Sequence, residues 1–466
     1  MEITNKKKFK VPHVYIIIMG IAFICMLLTY FLPAGSYERI TNEAGRVIVD
    51  PTTFQFQAQT PQNLFAYFSS FHTGLVETAQ IIMFLFIVGG SFAVVEGTGA
   101  IEAVLCKVTR AMAGRERLII PFIMFAFAIA GATFGMAEEA LPFIPIMVTL
   151  AVSLGFDSIT GAAMVLVGCS AGFAGAFLNP FTVGVAQGLV GLPIASGMTL
   201  RIILFAVMSI VMTGFVYWYA GRVRKNPKLS LMHEIDQNRE DKLDLNNLKQ
   251  MTKEHVMVLC IVAGSIITFT YGVIKLGWYL KELTAVFLIM AVLSAIVGRL
   301  GLNSFAEHLT KGMATLASGA LIVGFARAIL VILTDGGIID TILFYTSGTV
   351  SGLSSNVAAV GMYIFQCFLN FLVPSGSGQA ALSMPILAPL SDLVGVTRQT
   401  AVLAYQMGDG ISNIFTPTSG YFMAGLALAK IPWEKWAKWI LPLILIEYLI
   451  GAIFVVIANS IGYGPF

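Results

Sequence analysis

The sequence is short of charge: only 11% of its 466 residues are Asp, Glu, Lys or Arg, where a soluble domain carries about 25%. A shortfall of that size excludes an ordinary soluble fold. Cysteine is scarce as well. The five residues Cys25, Cys106, Cys169, Cys260 and Cys367 stand singly in apolar segments, which excludes a zinc site or disulfide framework of recognisable spacing and leaves them as small packing residues. His13, His72, His233, His255 and His308 are scattered without metal-ligand spacing, so no metal or cofactor is expected. No histidine lies in a span to serve as base for the Ser375-Gly376-Ser377 stretch, and the logic of an intramembrane serine hydrolase fails there. Apolar residues are abundant at 57%, with 45 glycines.

Several apolar runs are long enough to cross a hydrocarbon core of ~30 Å as a helix. Full spans fall near 11–33, 80–97, 199–220, 256–275, 282–299, 313–333 and 438–458. The first follows Lys6 to Lys10, and its apolar run outlasts the ~7 to 15 residues of a signal core, so it reads as a span. Two further stretches, 159–190 and 397–428, would each extend about 48 Å as unbroken helices. Both carry Pro at a polar middle and are expected to break. The stretches 118–155 and 357–395 are interrupted by Gly-rich polar sequence and are too short for two spans and a loop; each is expected to form a re-entrant hairpin. The resulting topology has nine crossings, a cytoplasmic N-terminus and an outside C-terminus. It places 21 of the 28 Lys and Arg on the cytoplasmic side, six outside (Arg39, Arg46, Arg201, Lys275, Lys281, Arg398) and Arg327 within a span, in accord with the positive-inside rule.

Internal similarity divides the chain. Glu138-Glu139-Ala140-Leu141-Pro142-Phe143-Ile144-Pro145-Ile146 aligns with Gly378-Gln379-Ala380-Ala381-Leu382-Ser383-Met384-Pro385-Ile386. The same register pairs Gly155 with Gly395 and Gly168 with Gly408. Asn179-Pro180-Phe181-Thr182 corresponds to Thr416-Pro417-Thr418-Ser419, and Gly99-Ala100-Ile101-Glu102 to Gly337-Ile338-Ile339-Asp340. The expected organisation is a first repeat over 1–220, a cytoplasmic linker over 221–255, an extra span over 256–281 and a second repeat over 282–466. The extra span makes the repeats inverted, as in carriers that alternate access around a midplane site. Amphipathic stretches at 98–113 and 338–355 read as interfacial arms joining a moving part to a fixed one.

Irregular backbone at membrane depth survives only inside protein or along a wet cavity, so the four interruptions should converge on a site. Candidate substrate ligands are Glu138, Glu139, Asn179, Thr182, Ser375, Ser377, Gln379, Asn413, Thr416 and Thr418. Carboxylates at the bilayer centre usually handle ions, protons or substrate. Adjacent helical residues point about 100° apart, so one of Glu138 and Glu139 should face the site. Arg327 either holds a substrate carboxylate or pairs with Asp335 or Asp409. Asp409, with Glu138 and Ser412, could tune a coupling-cation site, or Asp409 could simply be solvated in the transport path.

Phe9-Lys10-Val11-Pro12-His13, Leu32-Pro33-Ala34-Gly35, Gly135-Met136-Ala137-Glu138-Glu139, Asn179-Pro180-Phe181, Asp335-Gly336-Gly337-Ile338-Ile339-Asp340 after Arg327, and Pro374-Ser375-Gly376-Ser377-Gly378-Gln379 together resemble the YfcC branch of the DcuC-like anaerobic C4-dicarboxylate carriers, within the ion transporter superfamily. The resemblance runs nearly end to end. It implies an all-α polytopic protein of the bacterial inner membrane, a scaffold plus an elevator-type transport domain, and a homodimer in the lipid bilayer. The favoured function is secondary transport of a basic amino acid such as arginine or ornithine, by exchange or with Na+ or H+ as coupling ion. The alternatives are a C4-dicarboxylate symporter or exchanger, then an ion channel or a membrane-embedded enzyme.

Overall fold

The computed structural model describes residues 14–464 except 42–46, 51, 112–113, 134, 195, 240–250, 277, 279 and 351–352. The lysines from Lys6 to Lys10, the Phe9–His13 motif and much of the linker lie outside the described residues. The helices in chain order begin with α1 (Val14–Phe31), α2 (Leu64–Glu77), α3 (Ala79–Gly97), α4 (Ala100–Ala111), α5 (Ile119–Thr133), α6 (Phe143–Ser153), α7 (Ser158–Ala174), α8 (Val183–Leu189) and α9 (Met198–Lys225). A short α10 (His233–Gln237) precedes α11 (Lys253–Leu276), α12 (Leu280–Val297), α13 (Leu302–Asp335) and α14 (Ile339–Val350). The chain continues through α15 (Ser355–Leu372), α16 (Gly376–Leu393), α17 (Arg398–Ser412), α18 (Gly420–Leu428) and α19 (Trp433–Ser460). Seven helices among the described residues are long and apolar enough to cross a membrane: α3, α5 with the turn before it, α9, α12, α13, α15 and α19. The protein is therefore multi-pass.

The seven differ from the expected set. The first arms of both stretches read as hairpins, α5 and α15, have spanning length and apolarity, while the 18-residue apolar α1 and the 24-residue α11 fall on the expected spans 11–33 and 256–275. Two elements were not expected at all. The first is α2, which continues into α3 across a single residue, Thr78. The second is a set of four short strands, β1 (Gly35–Ser36), β2 (Arg39–Thr41), β3 (Val47–Val49) and β4 (Gln55–Phe56), so the chain is mostly rather than wholly helical. β1 pairs antiparallel with β4 (Gly35 opposite Phe56), and β2 with β3 (Ile40 opposite Ile48). Arg39 anchors this segment through a bidentate pair with Asp340 at 2.8 and 3.0 Å, in the first turn of α14.

Helix lengths recur along the chain. α4 and α14 have 12 residues each, and α9 and α19 have 28 each. The stretch from Leu64 to Gly97 covers as many positions as the 34-residue α13. Local causes recur too. Asp157 caps α7 by accepting from Thr160 N at 2.9 Å, and Thr397 caps α17 by accepting from Thr400 N at 3.2 Å. A Cβ on Gly168 would lie 3.1 Å from Met124 O, and one on Gly408 would lie 2.7 Å from Gln366 Cβ. Glycine thus lets α7 approach α5 and α17 approach α15, the close packing small residues allow between membrane helices.

Packing sorts the helices into two groups. One contains α1–α3 and α11–α13; the other contains α5–α9 and α15–α19, with α7 crossing α17 at its centre. At that crossing Ser170 Oγ donates to Gly410 O at 2.8 Å. The start of the expected linker is ordered against the second group: Ser230 Oγ donates to Asp157 Oδ2 at 2.6 Å, and Arg239 bonds Asp236 and the carbonyl of Ala429. Arg201, expected among the outside charges, is instead buried in the first turn of α9.

The crossing leaves no room for a side chain at Gly410, where a Cβ would sit 2.5 Å from Ala174 N. Gly410→Ala is expected to destabilise the protein by about 1–3 kcal/mol through overpacking. Gly20→Ala, with nothing within 4 Å of the added carbon, should leave the unfolding midpoint in detergent unchanged or raised. Equal midpoints for the two variants would refute the close crossing.

Candidate functional site

α7 stops at Ala174 and helix resumes at Val183, because Pro180 has no N–H and its ring obstructs the helical path. The backbone groups this frees are satisfied by side chains. Asn179 Oδ1 accepts from Phe181 N at 2.9 Å and Thr182 N at 3.2 Å, while its Nδ2 donates to Gly131 O at 3.1 Å. Gln406 of α17 donates to the carbonyls of Ala174 and Ala176 at 3.0 and 2.9 Å. The second interruption, 413–419 with Pro417, separates α17 from α18. There the indoles of Trp433 and Trp436 each donate at 3.0 Å, to Phe415 O and Ile414 O. Thr418 Oγ1 donates to Phe371 O at 2.7 Å.

The two tips differ in form. Gly135 adopts φ +74°, and Glu138–Ala140 makes a 3-10 turn before α6. At the other, Ser375 caps α16 directly. Both tips and both interruptions meet at one cavity of about 190 Å³, room for a small polar solute or several waters. Its polar wall consists of Glu138, Glu139, Thr182, Ser375, Ser377, Asp409, Asn413 and Tyr421; Ile81 of α3 and Val323 of α13 close it from the other helix group. Among the described residues no Lys, Arg or His lines it.

Glu138 and Glu139 both reach the wall, where the sequence suggested one. Glu139 is 9% exposed and accepts from Ala137 N at 3.1 Å. Asp409 is 1% exposed, and its Oδ1 accepts from Asn370 Nδ2 at 3.0 Å and Asn413 Nδ2 at 2.9 Å. Those two bonds leave Oδ2 turned toward Gly376, where a Cβ would lie 3.2 Å from it and 2.8 Å from Thr182 Cγ2. Tyr405 fixes this approach by donating to Gly376 O at 2.5 Å.

The remaining candidates lie off the wall. Arg327 pairs with Glu77 at 2.6 Å, on α13 and α2, and not with Asp335 or Asp409. Gln379 of α16 is buried against α15, donating to Gln366 Oε1 at 2.7 Å and accepting from Asn370 at 3.0 Å. Asn179, Thr416 and Thr418 are buried at the interruptions, and Ser412 Oγ sits 2.9 Å from Tyr448 Oη. Sequence reasoning missed Gln366 and Asn370, although polar residues four apart in an apolar helix mark one inward face. It also missed Tyr405, four residues before Asp409, and Glu77.

A family model described as C4-dicarboxylate anaerobic carrier, DcuC, matches residues 11–460. The chain belongs to this carrier family. Over 98% of both chains it is 35% identical to an Escherichia coli K12 protein, YfcC, whose name proposes a basic amino acid antiporter. It is 29% identical to an uncharacterized Haemophilus influenzae Rd protein over 99% of both chains. The solved structures of the Alcanivorax borkumensis YdaH transporter and Neisseria gonorrhoeae MtrF align with 97% and 96% of this chain and 100% and 95% of theirs. They are 15% and 16% identical to it, at TM-scores of 0.44 and 0.45.

Gly376 offers the sharpest test of the cavity. Gly376→Ala would place a methyl between Thr182 and Asp409 while breaking no hydrogen bond. The carrier should lose solute binding at least tenfold, about 1.4 kcal/mol, with its unfolding midpoint retained. Unchanged binding in a folded variant would remove this wall from the site.

Proposed function

We propose that the chain is a secondary transporter of a basic amino acid of the arginine or ornithine type, working by exchange or ion coupling. The observation that carries this reading is the cavity wall: three carboxyl side chains, Glu138, Glu139 and Asp409, and no basic residue among those described. Like charges gathered in a low-dielectric site are costly unless a cation or proton sits among them. A guanidinium or ammonium group meets that need, and an α-amino group can share it. The substrate carboxylate would take the free first-turn N–H groups of α16 at Gly376 and Ser377, since helix N-termini favour anions. Arg327, already paired with Glu77, is not required.

The family description supports a C4-dicarboxylate as the second reading. A dianion would find the same α16 amides but would face three acids, so Na+ or H+ would have to accompany it. Two inverted repeats are supported by the recurring helix lengths and the paired caps. An elevator motion is supported by a cavity at the seam between two helix groups, with α4 and α14 as the connecting arms. The remaining parts of the reading are a homodimer in the bacterial inner membrane, a cytoplasmic N-terminus and an outside C-terminus.

Proteoliposomes loaded with ornithine or with succinate, given labelled arginine or fumarate with and without a Na+ gradient, separate the readings. Arginine uptake into ornithine-loaded vesicles is expected, without fumarate uptake into the succinate-loaded ones. Glu138→Gln and Asp409→Asn should each cut arginine uptake about 30-fold or more, since unpairing a buried charge costs about 2 kcal/mol or more. Fumarate uptake without arginine uptake would overturn the choice of substrate.

A further inference from the structure

Glu447 is a carboxyl group that nothing in the cavity uses. It lies halfway along the 28-residue α19, fourteen residues from Trp433, or about 21 Å from that helix end. It is 0% exposed, and neither carboxyl oxygen has a hydrogen-bond partner. An isolated carboxylate is costly at such a place, and an intramembrane ionisable residue usually marks an ion or proton path.

Its surroundings supply hydroxyls instead of countercharges. Glu447 stands one turn before Gly451, so both lie on one face of α19, and a Cβ on Gly451 would sit 2.4 Å from Tyr363 Oη. Tyr363 Oη donates to Tyr448 O at 3.3 Å, and Tyr448 Oη lies 2.9 Å from Ser412 Oγ. Ser412 immediately precedes Asn413, which lines the cavity. The helices packed against α19 are α9, α15 and α17. Their titratable groups are Tyr363 and Cys367 on α15 and Arg398, Tyr405 and Asp409 on α17; α9 carries none between Arg201 and Tyr217. No basic side chain pairs with Glu447 among the described residues.

We propose that Glu447, buried and unpartnered on a helix packed against the one that carries Asp409 and Ser412, is a proton-binding site that links proton movement to solute passage. In the step itself, the carboxylic acid gives its proton to water that reaches it in one access state, leaving a carboxylate. Water reached in the other access state returns a proton. No other bond changes. This inference rests on the transporter reading above and adds a coupling site remote from the substrate wall.

The test uses the full-length protein in ornithine-loaded proteoliposomes, with labelled arginine outside and a pH gradient imposed in either direction. Wild-type uptake is expected to change at least threefold with the gradient. Glu447→Gln should lose that response, and Glu447→Asp, which keeps a titratable group, should retain it. A Glu447→Gln protein that responds as the wild type does, or a wild type that does not respond, overturns the proposal. Infrared difference spectra of the wild type between two pH values provide a readout that needs no substrate. A protonated-carboxyl band that appears with pH and shifts in Glu447→Asp supports the site even if arginine is not transported, in which case the substrate reading alone fails. Absence of that band in the wild type overturns the site even if Glu447→Gln does not fold.

Discussion

The arrangement depends on one constraint: backbone amides and carbonyls cannot be left unpaired at membrane depth, where each costs several kcal/mol. This chain interrupts its helices at four places and meets the cost with specific side chains. Asn179 takes the amides of the first interruption, Gln406 the carbonyls beside it, and Trp433 and Trp436 the carbonyls of the second. Satisfying these groups draws α7, α17 and α19 together. The cavity is what remains between them once the backbone is paired.

Within the cavity, charge and dipole divide the work. The carboxyls sit on one tip and on α17, and the positive end of α16 points in from the other tip. The proposal of a basic amino acid over a dicarboxylate rests on this division. Asp409 illustrates the preorganisation involved: Asn370 and Asn413 hold one oxygen, and Tyr405 holds the Gly376 backbone beside the other. The position of the carboxylate is thereby fixed before any solute arrives.

Much of this was legible in the sequence because membrane spans and interruptions are written in composition. Pro180 and Pro417, in polar settings within overlong apolar runs, located both breaks. The paired motifs around Glu138 and Gly378 located both tips. Other features were not legible. A bidentate pair between Arg39 and Asp340, 301 positions apart, has no local signature, and neither does the pairing of Arg327 with Glu77. Gln379 looked like a tip ligand because it follows Ser375 and Ser377, which line the cavity, yet its helical phase turns it inward to Gln366 and Asn370. Both Glu138 and Glu139 reach the wall from a tip that forms a 3-10 turn, and hydropathy does not distinguish that turn from the first turn of an α-helix.

That turn is also where the two related stretches part company. The register aligning Glu138-Glu139 with Gly378-Gln379 sets an acidic tip against an uncharged one. In the first copy, helix begins only at Phe143, after the 3-10 turn, and Pro145 falls within its opening turn, where a missing N–H costs nothing. In the second, helix begins at Gly376, and the equivalent Pro385 must be accommodated in the helix interior. Early helix leaves the second tip free amides at Gly376 and Ser377, and Gly376 lets Thr182 and Asp409 come close. Delayed helix gives the first tip a loop on which two adjacent carboxyls can share a direction. The two related stretches thus place an acidic tip and an amide-bearing tip on the same cavity wall.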